Sequence, residues 1–400
     1  MDVNLTQIRE YLRGLYLAAR RKARPFLGPV YRPARSVVLF LPWLIPALGK
    51  LVSGESERRL LMIYDTSSQP YSIGDFLIMQ EAAIVLREKH RLDLVDFALV
   101  CDGRKPAPSD PAFAGINKGN ALYHLASILP VAQINEHLGS VFIFDSKAQL
   151  HRHISDNASA YQVWPTAWQF ATRQYLHYAI FNDLLMDHFK AHGSLPRLTC
   201  RSFLVEWAQR FHREHVFPAV PVTVNLRNNK NHHPDRNSNL DCWLEFFRHC
   251  ETRYPVKFIV ICARSEIDER LERCANVIIA KEFHSGIEED LALIHTAAMH
   301  MGAGSGPVSM AWFNSKPYLM VNTRFERGYA HPGMIIQEEV DIQRFWFAGP
   351  MQRISPRPET VDLLVRQFAL MWATIDLKFW ESQAGISPDA VNATEKLWLR

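Results

Sequence analysis

Residues 283–322, FHSGIEEDLALIHTAAMHMGAGSGPVSMAWFNSKPYLMVN, decide how this chain is read. Ile287, Leu291, Leu293 and Ile294 recur at helical spacing, and Thr296 to Met301 lead through a short strand into a turn. Gly302, Gly304, Ser305 and Gly306 make that turn, and Pro307 stands at the first position of a second helix. Pro317 to Asn322 form an apolar run of the kind buried on both faces as a strand. Such a loop turns backbone N–H groups and the positive end of a helix toward one place, where an anion, above all a phosphate, is held. Similar turns close many α/β units that bind nothing, so the company of this loop decides its meaning.

Upstream, Val222 to Arg227 read as a strand ending in an arginine. A polar loop follows, Asn228 to Ser238, carrying Lys230, Arg236, His232 and His233. Helix Leu240 to Thr252, strand Val256 to Cys262, a short helix Glu266 to Cys274 and strand Asn276 to Ala280 complete an alternating pattern. That alternation places Arg227 and the 302–306 loop on one rim, at the carboxyl ends of parallel strands. A guanidinium presents a fork of donors that matches phosphate oxygens. The competing reading is a solvated surface loop.

The preceding part repeats the alternation: strand Leu60 to Tyr64, helix Phe76 to Lys89, strand Val95 to Cys101, helix Ala121 to Leu129, strand Gly139 to Asp145. Asp65, the loop Ser72 to Asp75, Asp102 and Asp145 fall at strand ends. Asp75, at the junction of loop and helix, is the candidate general base, while an aspartate there also serves as a helix cap. The aromatic run 161–178, with Tyr161, Trp164, Trp168, Tyr175 and Tyr178, reads as core or as a stacking platform.

The 400 residues suffice for two domains. Their net charge of +4 is too small to argue for nucleic acid, which is not expected as a partner. Six isolated cysteines read as reduced core thiols of a cytoplasmic protein, and the 17 histidines show no metalloprotease spacing, so no metal site is expected. No secretory signal is apparent. Residues 1–59 read as an arm: an amphipathic helix around Ile8, Leu12 and Leu15, then Arg20, Arg21, Lys22 and Arg24, then the uncharged segment Ser36 to Gly49. That segment is shorter than the roughly 20 residues of a spanning helix and contains Pro42 and Pro46. The arm is expected to lie on an anionic inner leaflet, anchored by Phe40 and Trp43, with packing on the protein's own core as the alternative. The expected division is thus an arm (1–59), a first α/β domain (60–217) and a second (218–400).

Val224-Asn-Leu-Arg-Asn-Asn229 resembles the strand-plus-arginine motif of fucosyltransferase-like enzymes, with Asn225 where histidine is usual and Asn228 where a second arginine is usual. Glu288 to Ile294 together with Gly304 to Ser309 resemble the acidic helix and Ser/Gly motif of that branch, and Gly74-Asp75 resembles the first loop of heptosyltransferases. Both belong to the GT-B glycosyltransferases, so the resemblance implies two Rossmann-like domains facing a cleft. It implies further that Arg227, with Asn225 and Asn228, meets the donor diphosphate. Gly304, Ser305 and Gly306 would bind phosphate, Glu289 or Asp290 would sit near the nucleoside, and Asp75 would be the base. The function it implies is metal-independent, inverting hexosyl or fucosyl transfer in bacterial surface polysaccharide synthesis. The donor would be a nucleotide-sugar, GDP-linked by likeness to the fucosyl branch, with no separate cofactor, and the acceptor a glycan or lipid-linked glycan. The enzyme would be peripheral on the inner face of the plasma membrane, as monomer or homodimer. A non-catalytic nucleotide- or glycan-binding protein and a nucleotide-sugar epimerase are the alternatives.

Overall fold

The computed structural model describes residues 58–69, 71–101, 124–166, 169, 179–229, 234–323, 335–337 and 341–377. The N-terminal arm through residue 57, Asp102, Trp168, Tyr175, Tyr178, Lys230, His232 and His233 lie outside the described residues.

The first sheet comprises β1 (Arg59–Asp65), β2 (Leu94–Val100), β3 (Leu138–Phe144) and β4 (Tyr161–Trp164), all parallel, in the order β3-β2-β1-β4. β1 and β2 are buried from their second residue on because helices or loops cover both of their faces, and the buried Asp96 of β2 pairs with Arg59 of β1 at 2.9 Å. β4 corrects the reading of 161–178 as aromatic core or platform alone: Tyr161 and Trp164 begin it as a strand beside β1. Helix α1 (Ile73–His90) starts before the expected Phe76, because Ser72 Oγ accepts the Asp75 N–H at 3.4 Å and caps it. Between Gly74 and Leu86 this helix is buried on every side, so its sequence shows little amphipathic stripe.

The second sheet comprises β5 (Val220–Asn225), β6 (Val256–Ile261), β7 (Val277–Ile279), β8 (Met299–Ala303), β9 (Tyr318–Val321), β10 (Ile335–Gln337), β11 (Ile342–Arg344) and β12 (Gln352–Ile354). Its order is β10-β11-β12-β9-β8-β5-β6-β7, parallel from β7 to β12 and antiparallel at β11 and β10. Counted from β5, the parallel strands run 3-2-1-4-5-6, and the winding reverses between β5 and β8, where such sheets open a ligand crevice. β5 starts before the expected Val222, at Val220, and the Pro221 carbonyl accepts Ala298 N–H at 3.0 Å. The helix expected over Glu266 to Cys274 is instead two 3-10 turns.

One apolar cluster runs from Leu60, Tyr64, Phe76 and Phe97 beneath the first sheet to Ile259, Ile261 and Tyr318 of the second. Helices α2 (Ser202–Phe211) and α4 (Ile287–Thr296) pack within it. A second cluster on the other face of the second sheet joins α3 (Leu240–Glu251) to α6 (Val361–Trp372), with Phe368 at 5.5 Å from Phe246 and 5.8 Å from Phe258. α6, the last helix of the described residues, therefore packs on the second sheet. All six cysteines are unpaired and five are buried. No helix of the described residues is long and apolar enough to cross a membrane.

Two kinds of buried titratable group set the pH response. His300 on β8 is buried with Nδ1 3.0 Å from Thr223 Oγ1, and burial pushes its pKa down to about 3. His212 is likewise pushed down to about 3, first by burial and then by the charge of Lys316. Both bind a proton in the unfolded chain below pH about 6.5 and refuse it in the folded one, so stability falls as pH drops from about 6.5 toward 3. Glu81 runs the other way. It is fully buried with neither carboxyl oxygen hydrogen-bonded, and burial raises its pKa well above the usual range. Its cost to folding grows as pH rises above about 4.5. His300→Gln, which cannot titrate, is expected to recover roughly 2 kcal/mol of the stability that wild type loses between pH 7 and 4.5 in urea unfolding. Parallel losses in the two proteins would remove His300 from the account. Glu81→Gln is expected to stabilise by about 1–3 kcal/mol at pH 7 and by nothing at pH 4. A destabilised variant at pH 7 would show that the carboxyl serves a purpose in the fold.

Candidate functional site

β5 ends at Asn225, which is buried and spent on both sides: Nδ2 donates to the Ile261 carbonyl at 2.8 Å and Oδ1 accepts from Ser305 Oγ. Gly302 has φ +150°, and a Cβ there would lie 2.4 Å from the Asn225 carbonyl oxygen, so only glycine fits. The ends of β6, β5 and β8 are thereby tied together at the reversal of the sheet. A Cβ on Gly304 would meet Thr323 Oγ1 at 2.3 Å, which locks the next step of the loop against the end of β9.

Ser305 is extended, and the following turn Gly306–Val308 is 3-10, leading into α5 (Ser309–Trp312). The expected second helix is only this single turn. An anion at this loop would rest on its backbone N–H groups more than on a long helix dipole.

The loop meets the first sheet directly. A Cβ on Gly74 would lie 3.3 Å from Gly306 Cα and 3.2 Å from Ser309 Oγ; a Cβ on Gly306 would lie 2.9 Å from Ile73 Cβ and 3.0 Å from Gly74 N. Two of the stretches singled out in the sequence, Gly74-Asp75 and Gly304 to Gly306, are therefore in backbone contact. Asp75 is half-buried in the first turn of α1, where the helix dipole favours its charge. The capping duty belongs to Ser72. Tyr64 lies beneath, fully buried, its phenol pushed up first by burial and then by the Asp75 charge.

Arg227 is half-buried two residues beyond β5. Its backbone is clamped to the far leg of the loop: Arg227 N–H donates to Ser238 Oγ at 3.1 Å and Ser238 N–H donates to the Arg227 carbonyl at 2.8 Å. Asn228 N–H donates to Glu266 Oε2 at 3.1 Å, and Asn229 and Asn237 exchange two further bonds at 2.9 and 3.0 Å. Asn322 Nδ2 donates to the Asp235 carbonyl at 3.0 Å, joining this loop to the end of β9. Burial lowers the Arg227 pKa and the nearby Glu266 carboxylate opposes that shift. Glu266 is the residue the sequence reading missed; its signal is an acid in the turn directly after β6.

Glu289 and Asp290 lie in the first turn of α4. Glu289 Oε2 accepts Gly286 N–H at 2.8 Å, which caps α4. Asp290 is buried, paired with Lys281 and accepting Ser285 Oγ at 2.7 Å. Burial raises its pKa and Lys281 counters. Both side chains hold the start of α4 at the outer end of the rim. Among the described residues, no group of three histidines, cysteines or acids is placed to hold a metal ion.

Gly306→Ala is expected to destabilise the protein by about 1–3 kcal/mol, because its methyl meets backbone and a β-branched stem rather than a flexible tip. A melting temperature equal to wild type would mean that the two loops separate freely.

No protein-family model and no curated protein matches the chain. Among solved structures, it is similar to the glycosyl transferase family 9 protein of Veillonella parvula, at 11% identity and TM-score 0.46, over 87% of this chain and 99% of that one. It is similar to the E. coli ADP-heptose LPS heptosyltransferase II, at 8% identity and TM-score 0.46, over 79% and 98%. It is also similar to NodZ α-1,6-fucosyltransferase soaked with GDP-fucose, at 12% identity and TM-score 0.31, over 75% and 100%.

Proposed function

We propose that the chain is a glycosyltransferase of GT-B architecture, its two Rossmann-like units meeting at the contact of Gly74 with Gly306. The observation that carries this reading is that contact: it sets a carboxylate at a helix N-terminus beside a glycine loop at the reversal point of a doubly wound sheet. The donor is a nucleotide-sugar. Its diphosphate rests on the backbone N–H groups of Gly304, Ser305 and Gly306, and Arg227 reaches it from the neighbouring strand end. Asn225 supports this loop from beneath, and Asn228 holds the Arg227 segment through Glu266.

Asp75 takes the proton of an acceptor hydroxyl as that oxygen attacks the anomeric carbon. The bond from that carbon to the diphosphate oxygen breaks, the electron pair leaves with the nucleoside diphosphate, and configuration inverts. The charge that develops on the leaving group is met by Arg227 and the loop N–H groups, so the step needs no metal ion. The acceptor is a glycan or a lipid-linked glycan of a surface polysaccharide. The basic N-terminal arm would hold the protein at the inner face of the membrane, where a lipid-linked acceptor is presented.

The test is a thermal-shift panel of GDP, UDP, ADP, TDP and CMP on wild type, Arg227→Ala and Asp75→Asn. One diphosphate is expected to raise the wild-type melting temperature by several degrees at a hundredfold excess over its Kd. That shift should vanish in Arg227→Ala and persist in Asp75→Asn. Sugar transfer by Asp75→Asn, assayed with the matching nucleotide-sugar, should fall about 10²–10⁴-fold. No shift with any nucleotide at millimolar concentration would sink the donor site. Binding without turnover in wild type would leave a nucleotide-binding protein.

A further inference from the structure

The far side of the second sheet carries three arginines that the donor site does not use. β11 and β12 are antiparallel with Gln343 opposite Ile354, which sets Arg344 opposite Arg353. Side chains opposite each other on antiparallel strands share a face, with Cβ atoms about 5 Å apart, and like charges there are destabilising. Arg353 is also in register with Leu319 of β9, a residue of the core under α6. That helix supplies Arg366 and Gln367 on the same side.

The partners of this trio are neutral. Arg353 Nη1 donates to Gln367 Oε1 at 2.7 Å and Arg353 Nε to the Pro350 carbonyl at 3.1 Å. Arg344 Nε is shielded from solvent with no hydrogen-bond partner. The groups acting electrostatically on Arg353 are Arg344 and Arg366, which together with burial lower its pKa. Asp341, the acid beside β11, is engaged by Arg357 at 3.2 Å. Among the described residues no carboxylate pairs with any of the three.

Charged side chains often guard a sheet edge against pairing. That explanation fails here, because β10 lies outside β11 and both arginine-bearing strands are internal. A facing pair of cations inside a sheet, with a third above it and a buried donor unanswered, is balanced by an anion.

We propose that Arg344, Arg353 and Arg366 form a binding site for a phosphate group. Three guanidinium forks supply more donors than the two oxygens of a carboxylate can accept, and they suit a tetrahedral oxyanion. The site stands two to three strands away from β8, about 10–14 Å across the sheet from the line of the donor loop. It is independent of the donor-site reading. The phosphate belongs either to a soluble phosphoryl compound or to an anionic lipid headgroup, and the same chemistry serves both.

The experiment compares melting temperatures in phosphate and chloride at equal ionic strength, in an Arg227→Ala background that silences the donor rim. Phosphate is expected to raise the melting temperature of that protein, and adding Arg344→Gln or Arg353→Gln should weaken the apparent phosphate affinity at least about tenfold. In chloride, Arg344→Gln should melt no lower than its parent, since it relieves a like-charge pair. Should it fail to fold, the exposed Arg366→Gln replaces it. A second arm floats the proteins with phosphatidylglycerol and phosphatidylcholine vesicles. A soluble-phosphate response lost in the variants assigns the site to a free phosphoryl group. A response to phosphatidylglycerol vesicles alone, lost in the same variants, assigns it to a headgroup. Phosphate and vesicle responses that the arginine variants leave unchanged would overturn the proposal.

Discussion

The approach of Gly74 to Gly306 is the constraint on which the rest of the site depends. Each glycine sits where a Cβ on the other would meet backbone, so the separation of the two loops is set by main chain rather than by adaptable side chains. Main-chain contact is stiff, because no rotamer change can relieve it. It holds the first turn of α1, and with it Asp75, in one position relative to the loop after β8. A site assembled from two sheets otherwise carries the errors of both, and displacement of a reacting group by about 1 Å costs orders of magnitude in rate.

Behind that contact the rim is braced by polar side chains that never need to touch a ligand. Asn225 ties β6 to the loop through Ile261 and Ser305, and Thr323 fills the space that Gly304 leaves open. Ser238, Asn237 and Asn322 hold the segment that presents Arg227. This division of labour follows from the cost of disorder: a donor aimed at developing charge stabilises it only if its orientation is fixed beforehand. It also explains why Glu289 and Asp290 are bound to local partners. Acids in the first turn of a helix are favoured there for the helix's own sake.

The alternation of apolar runs and helical spacing made both parallel sheets legible, and small residues at 302–306 marked the loop. What stayed hidden has a common cause. β4 offers only four residues before the chain changes course, too few for a period to register. The strand read from Val222 starts at Val220, because β5 accommodates Pro221 near its first residue, where a missing N–H is tolerated. The cap of α1 fell to Ser72 and not to Asp75, a choice between two good capping residues that propensity does not resolve. Glu266 gained its place by facing Arg227 across two strands, and the Gly74–Gly306 contact joins residues far apart in the chain. Both are tertiary facts, and local pattern carries no trace of them.

Charge placement separates the two faces of the second sheet. Near the rim two cations have an acid close by: Arg227 has Glu266 and Lys281 has Asp290. Such pairs position side chains and leave little net charge. The trio at β11, β12 and α6 breaks that pattern with three cations, neutral hydrogen-bond partners and one buried donor unanswered. β11 runs against a sheet that is otherwise parallel, so it and β10 are additions beside the winding that builds the rim. Arg344 lies on the added strand β11, Arg353 on β12 at the last position of the winding, and Arg366 on the helix above. This end of the sheet can thus carry an anion site of its own while the glycine contact continues to set the geometry of the donor side.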